Sequence, residues 1–188
     1  MTTTATPSTV LARVTAAAAP LTAMVSAVPT EAWGRPSPCD GWNAGDVIAH
    51  LIDTQQDFLH DRGLLERPAA SATGIDQRWN DHIRRLLDVL RRPDAADVAF
   101  DGFFGPTTVG DTLLRFYVPD MIVHRWDLAA AVGADPHLSE AEITDLEDSV
   151  ASWGDALYLE GICRPGVTAP SGADRQTVLL ARMGRRNR

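Results

Sequence analysis

The chain has 188 residues, 45% hydrophobic and 22% charged, with a formal net charge of −8, enough for one domain with its own core and an ordinary globular composition. The negative charge argues against nucleic-acid binding, which needs concentrated basic surface. The one basic cluster, Arg182, Arg185, Arg186 and Arg188, reads as a solvated tail, and two cysteines, Cys39 and Cys163, supply neither a disulfide framework nor zinc-knuckle spacing, which favours a reduced, cytoplasmic setting.

Leu11, Val14, Ala18, Leu21, Val25 and Val28 recur by threes and fours. They predict an amphipathic core helix over about residues 8–28, with Pro20 as a kink and no stretch long enough to span a membrane. The basic start of a secretory signal is absent. A loop rich in proline and glycine, Pro29–Trp42, leads to a second helix capped by Asn43, with Asp46 at its third position and Trp42 packing on Val47 as a staple. This helix is expected to run to about Arg62 and stop at Gly63. A third helix lies within Ile75–Arg92, where Trp79, Ile83, Leu86, Leu87 and Leu90 share one face, and Pro93 ends it.

Val98–Gly110, with Phe100, Phe103 and Phe104 among glycines, reads as an ordered loop or short extended piece. A fourth helix follows from about Val109 to Val132, ending at Gly133. Ser139 and Glu142 form a capping box for a fifth that continues to about Leu159. Gly161–Gly172 is mostly loop, and Asp174 caps a short last helix through Arg182. With no convincing strand ladder, the class is all-α, a helical bundle in a single domain over residues 1–188.

The fourth helix carries Asp120 and His124, four apart and so on one face, where a carboxylate and an imidazole can reach the same cation. Both lie on the side of Leu113, Tyr117, Met121 and Leu128, toward the core, where a carboxylate is costly unless paired or metal-bound. His50, between Val47 and Leu51 on helix two, is the matching third donor. Two histidines and one carboxylate leave coordination positions open, which suits a reactive site. Asp127 has two readings: it orients a ligand imidazole from behind, or it pairs with Arg125 or Arg115. Pro119 should kink the helix just before Asp120. His60, His82 and His137 read as solvated, Trp126 and Trp153 as packing residues, and Cys39 as a small, partly buried residue rather than a ligand. Phosphate loops, nucleophile elbows and C-x-x-C pairs are missing.

The stretch from Ser37 to Leu51, S-P-C-D-G-W-N-A-G-D-V-I-A-H-L, resembles the signature of actinobacterial DinB-like proteins related to mycothiol-dependent maleylpyruvate isomerase. Asp120–Ala129, D-M-I-V-H-R-W-D-L-A, is similar to that family's other metal-binding segment, and Leu179–Arg185, L-L-A-R-M-G-R, to its usual ending. The resemblance spans essentially the whole chain. It implies an up-down-down-up four-helix bundle with an extra C-terminal helix, and His50, Asp120 and His124 as ligands of one divalent ion, zinc or nickel. Some relatives carry glutamate where Asp120 stands. The isomerase proper also has a C-terminal domain for which this chain is too short, so a substrate contact made by that domain is expected to be missing.

The leading expectation is a metal-dependent enzyme of mycothiol or another small thiol, a transferase or isomerase acting on an electrophile, as monomer or homodimer. The metal would stabilise the nucleophilic thiolate. The alternatives are a metal-dependent hydrolase, with Asp127 the one candidate base, and a non-catalytic metal-binding stress or interaction module.

Overall fold

In the computed structural model, which describes residues 6–68, 73–135, 137–159 and 162–186, long helices pack side by side around one apolar interior. α1 (Pro7–Ala27) begins at Thr6, whose hydroxyl accepts from the Thr9 N–H, and carries proline in its first turn, where a missing N–H is harmless. Of its predicted stripe Val14, Ala18, Leu21 and Val25 are at most 2% exposed, and Leu11 and Val28 are partly buried. Val10 joins the core in addition, and the helix continues through Pro20. One expectation is corrected: α1 is long and apolar enough to cross a bilayer, by length and composition alone. In the fold it packs on α3 and α5.

α2 (Ala44–His60) opens on the predicted cap. The Asn43 side chain accepts from the Asp46 N–H at 2.9 Å, and the Asp46 carboxylate accepts from the Asn43 N–H at 2.8 Å. α3 (Ile75–Leu90) buries Trp79, Ile83, Leu86 and Leu90. It also buries His82, against the expectation of a solvated ring; His82 Nε2 lies 2.8 Å from Gln55 Oε1 of α2. The reason is positional: residue 82 is three after Trp79 and four before Leu86, so it shares their face.

Val98–Gly110 contains a β-hairpin, β1 (Ala99–Gly102) and β2 (Gly105–Thr108), antiparallel, with Gly102 opposite Gly105 and the two phenylalanines at the turn. It delivers the chain into α4 (Val109–Thr112), a π turn (Leu113–Tyr117) and α5 (Val118–Val132), the continuous helical run expected over 109–132. The Val118 N–H donates to Leu113 O, one residue further back than in an α-helix. Widening here accommodates Pro119, which has no N–H for the α-helical ladder. α5 ends at Gly133, φ 77°.

The Ser139–Glu142 capping box starts α6 (Glu140–Trp153), which stops sooner than expected, at Gly154 with φ 54°, and continues as a 3₁₀ turn through Tyr158. α7 (Arg175–Arg182) is capped by Asp174. α1 and α2 each pack on both α3 and α5, which sets them diagonally opposite one another, while α6 packs on α5 and α7 on α6. This is the all-α DinB-like bundle, built from α1, α2, α3 and α5, with α6 and α7 added after it.

Candidate metal centre

The loop before α2 is tightly hydrogen-bonded, which fixes what hangs over the bundle. The Ser37 N–H donates to Trp42 O, the Trp42 N–H to Cys39 O, and Gly41 takes φ 76° between them. Arg35 Nη1 donates to Val132 O at 2.9 Å, tying the loop to the end of α5. Trp42 thereby lies over two imidazoles, its ring centroid 4.9 Å from that of His50 and 6.0 Å from that of His124. Trp42 thus covers the two imidazoles, a placement the staple expectation did not include.

α2 and α5 are neighbours, which brings His50 to Asp120 and His124. His50 Nε2 is 3.5 Å from Asp120 Oδ2, and His124 Nε2 is 3.3 Å from Asp120 Oδ1. One donor atom from each of the three lies within 4.8 Å of the others. A zinc-like ion bound at about 2.0–2.2 Å would set neighbouring tetrahedral ligands about 3.3–3.6 Å apart, close to the two distances from Asp120, one to each of its oxygens, so the donor types and spacing suit such an ion. His124 is 6% exposed, but His50 and Asp120 are each 29% exposed. The group therefore sits at the rim of the core and opens beside a cleft of about 500 Å³ lined by Trp42, Asp46, His50, Asp53 and Thr54.

The charges are set by the partners. Burial would push the Asp120 carboxyl up, but the His124 and His50 rings hold it well below the usual carboxylate range. Burial would likewise lower His124, yet the charge of Asp120 and the ring's hydrogen bonds to Asp120, Asp127 and Cys39 hold it well above an ordinary histidine. Tyr117, on the π turn, is raised by burial and by Asp120.

Behind His124 a second polar layer is centred on the fully buried Asp127. His124 Nδ1 lies 2.9 Å from Asp127 Oδ2, in favour of the orienting reading of Asp127. The salt-bridge alternative named the wrong arginines, since Arg125 pairs with Glu142 at 2.6 Å. Asp127 is instead gripped by Arg185, with Nη2 donating to Oδ2 at 2.8 Å and Nε to Oδ1 at 3.3 Å. The Cys39 thiol reaches the same Oδ2 at 3.3 Å. Cys39, His124 and Asp127 thus gather as a second set of ligand-type atoms, but the Arg185 guanidinium already supplies that set with a cation. Arg185 holds Asp127 well below the carboxylate range despite its burial.

Sequence reasoning missed Arg185, assigned to a solvated tail; its side chain is only 10% exposed. Arg182 and Arg186 remain on the surface side of the chain's end, and Arg188 lies outside the described residues. A signal was present: Gly184 follows a helix, the position where glycine turns a chain inward. His60 and His137 are exposed as expected, Trp126 is buried, and Trp153 stacks on Phe116.

Comparison with known proteins agrees with this architecture. The chain is 23% identical over 129 residues to the uncharacterized proteins MT0763 and Rv0738 from two strains of Mycobacterium tuberculosis, a match covering 69% of this chain and 66%, just under two thirds, of theirs. No solved structure matches it. The family model of the mycothiol maleylpyruvate isomerase N-terminal domain matches residues 14–129, a span that contains His50, Asp120, His124 and Asp127, and the chain belongs to that family.

Proposed function

We propose that His50, Asp120 and His124 hold one divalent ion, zinc or nickel, and that the protein is a cytoplasmic enzyme of mycothiol or a closely similar thiol, transferring it to an electrophile or using it to isomerise one. The observation that carries this reading is the charge balance around the three donors. Asp127 is neutralised by Arg185, so Asp120 is the one carboxylate among the three donors offered to a doubly charged ion. One positive charge is left over, which favours an anionic added ligand such as a thiolate. When bound, the ion would keep an added thiol deprotonated near neutral pH.

The chain's own residues supply the rest. Trp42 shields the imidazoles from water, the cleft beside His50 offers room for the body of a thiol or its electrophile, and Asp127 fixes the His124 ring. A hydrolase is disfavoured, because its one candidate base, Asp127, is 0% exposed and already engaged by His124, Arg185 and Cys39.

The test is spectroscopic. In a Cys39→Ser background, cobalt-loaded protein titrated with mycothiol should develop a sulfur-to-metal charge-transfer band, with binding tightening as pH rises toward the free thiol's pKa of about 8.5. A loaded site that shows no such band at saturating thiol contradicts thiolate activation.

A further inference from the structure

We propose that Arg185 is a positioning residue: acting through Asp127, it locks the His124 imidazole with Nδ1–H directed at Asp127 and Nε2 directed at Asp120. The consequence for metal binding rests on the reading of His124 as a ligand; the locking itself does not. Nothing in the family match assigns this role, because the matched span ends at residue 129 and Arg185 comes from the far end of the chain.

The placement is built by the local sequence. α7 ends in a Schellman turn: the Gly184 N–H donates to Ala181 O and the Arg185 N–H to Leu180 O. Gly184 has φ 77°, and a Cβ there would stand 2.8 Å from Arg164 Cβ, so a larger residue would be strained and would also clash. The turn swings Arg185 back beneath α5, where its Nη1 also donates to Met183 O at 3.0 Å and approaches Cys163 Sγ at 3.5 Å.

There the guanidinium meets Asp127 in a two-pronged grip, Nη2 to Oδ2 and Nε to Oδ1, the arrangement that fixes the plane of a carboxylate as well as its charge. Asp127 is fully buried, and a carboxylate in that position needs a cation to remain an anion. With its plane fixed, Oδ2 stands 2.9 Å from His124 Nδ1. With Nδ1–H held by Asp127, Nε2 is the nitrogen that faces Asp120, at 3.3 Å, and the one that would give up its proton to a metal ion. A mere tail tether would need the ion pair but would leave the ring's hydrogen bond unaffected.

The test reads the ring directly. Proton NMR of the full-length chain, with and without zinc, should show a downfield, slowly exchanging imidazole N–H signal, assigned to His124 by its absence from His124→Ala. Arg185→Met should broaden or abolish this signal, and Arg185→Lys should restore part of it. Zinc affinity, measured by chelator competition, should fall about 10–100-fold in Arg185→Met. Adding that change to Asp127→Asn should cost less than the product of the two single losses, because both act on one bond. If Arg185→Met does not fold, the Asp127→Asn/Arg185→Met double variant, which leaves no buried charge unpaired, and Arg185→Lys carry the comparison against Asp127→Asn. A His124 N–H signal unchanged in the folded Arg185 variants, or losses that multiply in full, would overturn the inference. The signal without zinc decides it even if zinc binding, and with it the proposed function, fails.

Discussion

His82 and His124 are buried to nearly the same degree, 1% and 5% exposed, and both sit on inward faces of bundle helices, yet the protein prepares them for opposite charge states. His82 Nε2 meets the neutral side-chain oxygen of Gln55, and burial, with Arg85 nearby, takes its pKa down to about 3. His124 stands between Asp120 and Asp127, and its pKa is held well above the ordinary value. Burial disfavours a charged ring at both positions. The partner decides: an amide leaves a core histidine, whereas a carboxylate on each side, one of them partly exposed, makes a candidate ligand.

The comparison can be broken at its strongest bond. Asp127→Asn leaves Arg185 buried without its counter-charge, and should lower unfolding free energy by about 3–5 kcal/mol while weakening zinc affinity about 10–100-fold. Denaturant melts and chelator competition on the same sample check both. A small stability loss with unchanged affinity would make Asp127 an ordinary surface-type pair.

His82 sharpens the contrast through pH. Its folded pKa of about 3 lies below the usual 6.5, so between those values the unfolded chain binds more protons. Stability should therefore fall as pH drops from 6.5 toward 3, by up to about 1.4 kcal/mol per unit from this one ring. The loss begins above the range where carboxylates titrate. His82→Gln, which keeps a hydrogen-bonding group beside Gln55, should flatten the slope between pH 6 and 4. An unchanged slope would mean that His82 is not held neutral. The smallest effect expected is at the helix that carries His50: Asn43→Ala removes the α2 cap and should cost about 1 kcal/mol in thermal melts, with one zinc per chain retained at saturating ion.

What could be read from the sequence follows the range of the interactions. The Asn43, Ser139 and Asp174 caps and the Asp120/His124 pair are local, separated by three or four residues, so helical spacing was enough to find them. His50 needed two inward faces to be matched, and they matched. Arg185 could not be found that way, because its partner is 58 residues away and the cluster of arginines around it looks solvated. His82 was legible in principle, since it shares the Trp79–Leu86 face; a polar name outweighed its position. The hairpin was missed as a strand pair because each strand is four residues long, too short to show alternation. The placement of the Trp42 ring over His50 was not legible, because it depends on the turn at Gly41 and on the packing of α2 against α5.

The central claim is that three side chains from α2 and α5 make one metal site, and elemental analysis after zinc loading and dialysis tests it most directly. Wild type and His82→Ala should each retain about one zinc per chain, while His50→Ala, Asp120→Ala and His124→Ala should each lose most of it. Full zinc occupancy in the folded His50→Ala or His124→Ala protein, or none in wild type, would contradict the account.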